Sequence, residues 1–268
     1  MGRYIIYLAC ALTLLSLYAC DSFESNSSPN EPSAWSCETQ DAPFSYSACN
    51  IDAQALVNGR YSLKLFWQQP NSTQPLLTFD RLLTTLPSDQ NLNFAMNAGM
   101  YNENYAPIGY TVIAGKEIRA LNIKEGGGNF HLLPNGVMWW DKSGKVQITE
   151  SNALNEQLKN DKAKPWYATQ SGPMLVINNK IHPQFDPNST SLKIRNGAGV
   201  CDDEHIKFVN SDEPVTFYQF AALFKDDLSC PNALFLDGGI ASALYAPSIE
   251  KHDKKEMGVM IGVVENKN

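Results

Sequence analysis

The chain is short of positive charge. Lysine and arginine together number 21 against 28 aspartates and glutamates, giving a net charge of −7 and an isoelectric point near 5.1. No basic stripe is available to follow a phosphate backbone, so nucleic acid is excluded as a partner. Histidine is also scarce, at four in 268 residues, and His182 and His205 lack ligand spacing. With no Cys-x-x-Cys pair and no aspartate-rich loop, no metal site is expected. A Gly-x-Ser-x-Gly elbow, a Walker A loop and a dinucleotide fingerprint are all missing, so no cofactor is called for. The apolar run from Tyr4 to Tyr18 falls short of the ~20 residues a spanning helix needs.

What is present is a globular composition, 43% hydrophobic and 18% charged, long enough to bury a large core. Arg3 followed by that apolar run has the pattern of a secretory signal, residues 1–20. Leu17-Tyr18-Ala19-Cys20 resembles a bacterial lipoprotein processing box, which predicts lipidation at Cys20 and a periplasmic protein held to the membrane by its N-terminal lipid. Residues 21–45, rich in Ser, Asn, Glu and Pro, read as a flexible tether. One domain is expected over 46–268, as a monomer. Beyond the signal stand Cys37, Cys49, Cys201 and Cys230. An even number in an oxidising compartment predicts disulfides. Cys37 with Cys49 and Cys201 with Cys230 is the local pairing among three possible connectivities.

Periodicity predicts many strands and few helices. Tyr61–Trp67, Leu92–Met96, Tyr167, Met174–Ile177, His205–Val209, Ala233–Leu236 and Gly258–Val264 read as strands. Hairpins are expected around Gly115-Lys116 and around Pro134-Asn-Gly136, with Phe130–Leu133 and Val137–Trp140 as the arms of the second. Lys145–Thr149 adds a strand. Helices are expected at Phe79–Leu86, at Ser151–Lys159 with Ser151 or Asn152 as cap, and at Phe217–Phe224. Without strict βαβ alternation, the fold class is α+β, a single domain on a large mixed, mostly antiparallel sheet. Alternation places one of Trp139 and Trp140 in the core and the other outside, where it can stack on a sugar. Gly126-Gly-Gly-Asn129 reads as punctuation between elements.

Four apolar strands end in glycine plus polar side chains: Asn97-Ala-Gly-Met-Tyr101, Thr169-Gln-Ser-Gly-Pro173, Lys193-Ile-Arg-Asn-Gly-Ala-Gly199 and Leu236-Asp-Gly-Gly-Ile-Ala-Ser242. Singly each is a turn. Together they offer amides, hydroxyls, a guanidinium and a carboxylate from separate strand ends, which is how a cleft is built on a rigid sheet. Arg195 can grip a phosphate or carboxylate with two parallel bonds.

In this order the segments resemble those of the phosphodiester glycosidase family, over about Asn97 to Val264. Asn97-Ala-Gly resembles the family's Asn-Gly-Gly, Ser171-Gly-Pro its Ser-Gly segment, Arg195-Asn-Gly-Ala-Gly its Arg-Thr-x-x-Gly, and Leu236-Asp-Gly-Gly its Leu-Asp-Gly-Gly-Gly-Ser. Ala168–Val176 and His182–Asn196 resemble the bacterial envelope branch more closely. The chain departs from the pattern at Asn196, where the family has threonine, and at Ile240 and Ala241, which displace the family's hydroxyl to Ser242.

The resemblance implies an exported hydrolase that cleaves a sugar 1-phosphodiester on the sugar side, leaving a phosphomonoester. Such cleavage passes through an oxocarbenium-like state, usually with paired carboxylates. Asp237 would be the nucleophile or general base and Glu103 the second carboxylate, with Glu125 and Asp186 as alternatives. Arg195, Lys193 and the amides of Gly238 and Gly239 would hold the phosphate. Asn97, Gly99, Gln170, Ser171, Gly172, Asn196 and Ser242 would contact the rest of a glycan or glycosyl-phosphate substrate. The alternative is an envelope lipoprotein that binds a glycan without turning it over.

Overall fold

In a computed structural model that describes residues 1–2, 34–57, 59–202 and 204–267, alternation sets the strands. Tyr61, Leu63 and Leu65 turn inwards while Ser62, Lys64 and Phe66 lie half-buried, as a two-residue period demands. The signal, Cys20 and most of the tether lie outside the described residues. Residues 34–268 form one unit.

The chain opens with β1 (Trp35–Gln40), β2 (Tyr46–Asp52), α1 (Ala53–Val57), β3 (Tyr61–Phe66), α2 (Phe79–Thr85) and β4 (Gln90–Asn97). It continues through β5 (Thr111–Ile113), β6 (Lys116–Arg119), β7 (Gly136–Trp140), β8 (Val146–Glu150), α3 (Ser151–Lys159), β9 (Tyr167–Ser171), β10 (Met174–Ile177) and β11 (Lys180–Ile181). It closes with β12 (Asn196–Val200), β13 (His205–Ser211), α4 (Phe217–Ala222), β14 (Asn232–Phe235), β15 (Leu244–Ala246), β16 (Lys251–His252) and β17 (Met260–Asn266).

The class is α+β, as expected, but the strands divide among three sheets. Their orders are β1-β2-β13-β12-β14-β10-β11, β16-β15-β4-β17-β3 and β6-β5-β9-β7-β8. The pairings among the described residues are antiparallel. All three sheets contribute to one apolar core: Phe94 of β4 meets Phe208 of β13 with ring centroids 5.2 Å apart, and Met138 of β7 and Leu234 of β14 join the same cluster. Each such buried side chain stabilises the fold by about 1.5–3 kcal/mol.

Four local expectations are corrected. The fold begins at β1 rather than near Tyr46, because the Cys37–Cys49 disulfide fastens β1 to β2 at facing positions. Asn135-Gly136 does not turn a hairpin: Asn129–His131 forms a 3₁₀ turn, and β7 pairs instead with β8 and β9. Trp139 and Trp140 are both buried, since each face of β7 is covered, so neither is a sugar platform. The cap of α3 is Glu150, whose carboxylate accepts from the amides of Asn152 and Ala153 at 3.0 and 2.9 Å.

The helix expected at Phe217–Phe224 is α-helical only to Ala222 and continues as a π-helical segment over Leu223–Asp227. It starts with a reciprocal capping box between Thr216 and Gln219. Cys201 and Cys230 form the second disulfide, bridging the end of β12 to the approach to β14. Two disulfides point to an oxidising compartment, extracellular or periplasmic. Among the described residues no helix is long and apolar enough to cross a membrane.

Candidate active site

The four glycine-bearing segments meet where the three sheets abut. Leu236 donates its amide to the Asn196 carbonyl at 3.0 Å, and Asp237 donates its own to Ala98 at 3.1 Å, which ties the strand end after β14 to β12 and β4. Gly99 brings in the third sheet, donating to Thr169 Oγ1 at 3.0 Å. A Cβ on Gly99 would lie 2.3 Å from the Gln170 carbonyl oxygen, so only glycine allows that approach.

Asn97 is the fastener at the centre. Fully buried, it donates from Nδ2 to the Asp237 carbonyl, and its Oδ1 accepts from Asn196 Nδ2 at 2.7 Å and from the Ala243 amide at 2.9 Å. It therefore positions Asp237 rather than binding sugar, which corrects its expected role. Gln170 is corrected likewise. Its Oε1 accepts from Tyr110 and Asn122 amides, and its Nε2 donates to the Asn122 carbonyl and Ser151 Oγ, leaving no polar atom for a ligand. Asn196 Oδ1, Ser171 Oγ and Ser242 Oγ are buried and have no partner. Unpaired polar atoms of this kind mark a place built for a ligand or water.

Burial pushes the Asp237 carboxyl up to about 7. Its charge in turn is felt by Tyr101, whose hydroxyl is raised to about 12, mainly by its own burial and then by Asp237. Sequence reasoning passed over Tyr101 as part of a turn. No carboxylate among the described residues contributes to the displacement of Asp237. Glu103 lies exposed on a loop turned by Asn102, whose Oδ1 accepts from the Asn104 amide at 2.9 Å. Glu125 is exposed, and Asp186 caps its own turn by accepting from the Asn188 amide at 2.8 Å. No contact among the described residues brings any of these three carboxylates to Asp237.

Arg195 is 2% exposed. Its Nε donates to the Val215 carbonyl at 2.8 Å and its Nη2 to the Ser191 carbonyl at 3.1 Å, while the guanidinium carbon stands 3.6 Å from the centre of the Phe217 ring. The capping box of α4 fixes that ring, and a bridge between Lys193 and Val215 fixes the strand. Burial lowers the arginine to about 10, so it is fully charged at neutral pH. Nη1 has no acceptor among the described residues, and no carboxylate neutralises the group. A buried cation without a counter-ion is costly, and an anionic ligand would relieve that cost.

Arg195 borders a cleft of about 540 Å³ shared with Asn129, Lys193, Gly238 and Gly239. Lys193 is exposed at its edge. The Gly239 amide donates to the Ile194 carbonyl at 2.8 Å, so of the two expected amides only that of Gly238 is uncommitted. Gly172 packs its missing side chain against Asn135 and Phe130 and has a structural role. Asn129, which punctuation alone suggested, reaches this cleft. A second cleft of about 510 Å³ beside Trp35 and Tyr245 holds amides already bonded within the protein, Gln90 to Asn266 and Asn93 to Glu265. No group of three metal-ligating side chains occurs among the described residues.

A half-buried carboxyl raised to about 7 stands next in sequence to a cleft bordered by an arginine with no carboxylate partner. The chain belongs to the phosphodiester glycosidase family, whose model matches residues 90–264. It is 34% identical over 233 residues to the Uncharacterized protein YigE of Escherichia coli (strain K12), covering 86% of this chain and 82% of that one. Among solved structures it is similar to the catalytic domain of zebrafish N-acetylglucosamine-1-phosphodiester alpha-N-acetylglucosaminidase auto-inhibited by its pro-peptide, with TM-score 0.61, 13% identity, and 87% and 84% of the two chains covered. A hypothetical protein from Synechocystis matches with TM-score 0.61 and 13% identity over 86% of this chain. The chain spans 62% of that protein's length. At such identities these structures share the fold.

Proposed function

We propose that the protein hydrolyses a sugar 1-phosphodiester in the bacterial envelope, breaking the bond between the anomeric carbon and the phosphate oxygen. The observation that carries this reading is a carboxyl raised to about 7 by burial, Asp237, one residue before Gly238, which lines the same cleft as the buried Arg195 that has no carboxylate partner. A general base is most effective when its pKa lies near the working pH. Asp237 takes a proton from water as the water oxygen bonds to the anomeric carbon. The electron pair of the broken bond goes to the phosphate, which departs as a monoester on Arg195, with Lys193 and the Gly238 amide beside it.

A phosphate is a weakly basic leaving group and needs charge stabilisation more than protonation, so one carboxylate suffices. Direct attack by water inverts the anomeric centre. Release of phosphomonoester from a panel of sugar 1-phosphodiesters, followed by NMR of the first sugar formed, tests the reading. Turnover that gives the inverted anomer and vanishes in Asp237→Asn supports it. Glycan binding with no turnover by either protein would replace the enzyme with a binding lipoprotein.

A further inference from the structure

The cleft that holds Arg195 has a second character. Among the described residues, the exposed large hydrophobics are Met1, Val57, Ile123, Leu192 and Ile240, and two of these, Leu192 at 53% and Ile240 at 95% exposure, border this one cleft. Pro214 and the half-buried Ile194 line the same cleft. Such side chains gain nothing from water and stand beside an arginine that lacks an anion. We infer that the substrate's phosphate carries an alkyl chain as its second ester, with the phosphate on Arg195 and Lys193 and the chain laid along Leu192 and Ile240. The inference rests on the proposed function and names the substrate class: a glycosyl phosphodiester of a lipid alcohol.

Complementarity decides between this occupant and others. A purely apolar ligand would leave Arg195 uncompensated, and a polar alcohol would leave Leu192 and Ile240 in water. A phosphodiester with one apolar arm satisfies both. Gly239, with φ of +72° and open space around it, carries the chain to Ile240 without obstructing that arm.

Cleavage at the anomeric carbon leaves the alkyl chain on the phosphomonoester, so alkyl phosphates are product analogues that need no turnover. The test is calorimetric titration of the full chain with methyl phosphate and n-octyl phosphate, with octyl glucoside as an uncharged control. Octyl phosphate is expected to bind about tenfold more tightly than methyl phosphate, the gain from partly burying a few methylenes, and octyl glucoside not at all. In Ile240→Asn/Leu192→Asn the two monoesters should bind within about twofold of each other. Both positions are exposed, and an unchanged melting curve would show that the variant is folded.

Equal binding of the two monoesters by the wild type would overturn the inference, as would no binding of either. So would a chain-length gain that survives in the variant, or octyl glucoside binding as well as octyl phosphate. A dimer seen in sedimentation and dissolved by the variant, with no chain-length gain, would assign the apolar rim to a second copy instead. Chain-length dependence without turnover of any phosphodiester would sink the proposed function and leave the lipid-like ligand standing. Turnover without chain-length dependence would do the reverse.

Discussion

The Oδ1 atom of Asn97 accepts the side-chain amide of Asn196 at 2.7 Å, across a boundary between two sheets. The same Asn97 holds the Asp237 carbonyl through Nδ2 and the Ala243 amide through Oδ1. One buried side chain therefore sets the position of the carboxyl and of the turn beyond it. Asn97→Ala would orphan two donors and an acceptor, each costing about 1–3 kcal/mol when buried. Urea unfolding should show a loss of several kcal/mol, and any activity should fall further than the loss of folded protein explains.

Asp237 gives the site its pH dependence. As a base the carboxyl must be ionised, so activity is expected to rise as pH passes through about 7 and then level off. Stability moves the opposite way. The folded state holds the proton to higher pH than the unfolded chain does, so stability is full below about 4 and falls as pH rises towards 7. Asp237→Asn removes that penalty. It should therefore be inactive yet melt higher than the wild type at pH 8, by at most roughly 4 kcal/mol, with the advantage gone near pH 4.

Arg195 can be probed without a substrate. An anion that binds only the folded protein stabilises it by mass action, so millimolar phosphate should raise Tm. The same phosphate should leave Arg195→Met unmoved. Arg195→Lys should recover little, because a single ammonium cannot reproduce the planar guanidinium, which bonds Val215 and Ser191 through separate nitrogens and lies over the Phe217 ring.

Gly99→Ala places a methyl 2.3 Å from the Gln170 carbonyl oxygen and 2.6 Å from Thr169 Oγ1. Gly127→Ala meets nothing within 4 Å. Thermal melts of the two should differ by several degrees, with Gly99→Ala the lower. If they melt alike, the tight junction between the second and third sheets is not what holds the site.

Local chemistry made much of the fold legible. Alternation marked β3, the apolar run Phe217–Phe224 marked α4, and the Asp-Gly-Gly motif located the strand end that bears Asp237. What stayed hidden depends on distant partners. Trp139 and Trp140 defeated alternation because β7 is covered on both faces. Gln170 looked like a ligand residue, yet its partners Tyr110 and Asn122 are 60 and 48 positions away in sequence. Glu103 follows the Asn97 segment closely, but a loop turned by Asn102 carries it to solvent. Arg195 was identified from its motif, whereas its lack of a carboxylate partner in an acidic chain emerges only in three dimensions.

The meeting of three sheets at Asp237 also governs when the protein becomes competent. The bond from Asn97 to Asp237 spans 140 positions, and no fragment carrying one sheet contains the whole constellation. Long-range pairings of this kind form late and slowly. Activity regained after dilution from denaturant should accordingly trail the return of helical signal, and a partly folded chain should be inert towards whatever it meets.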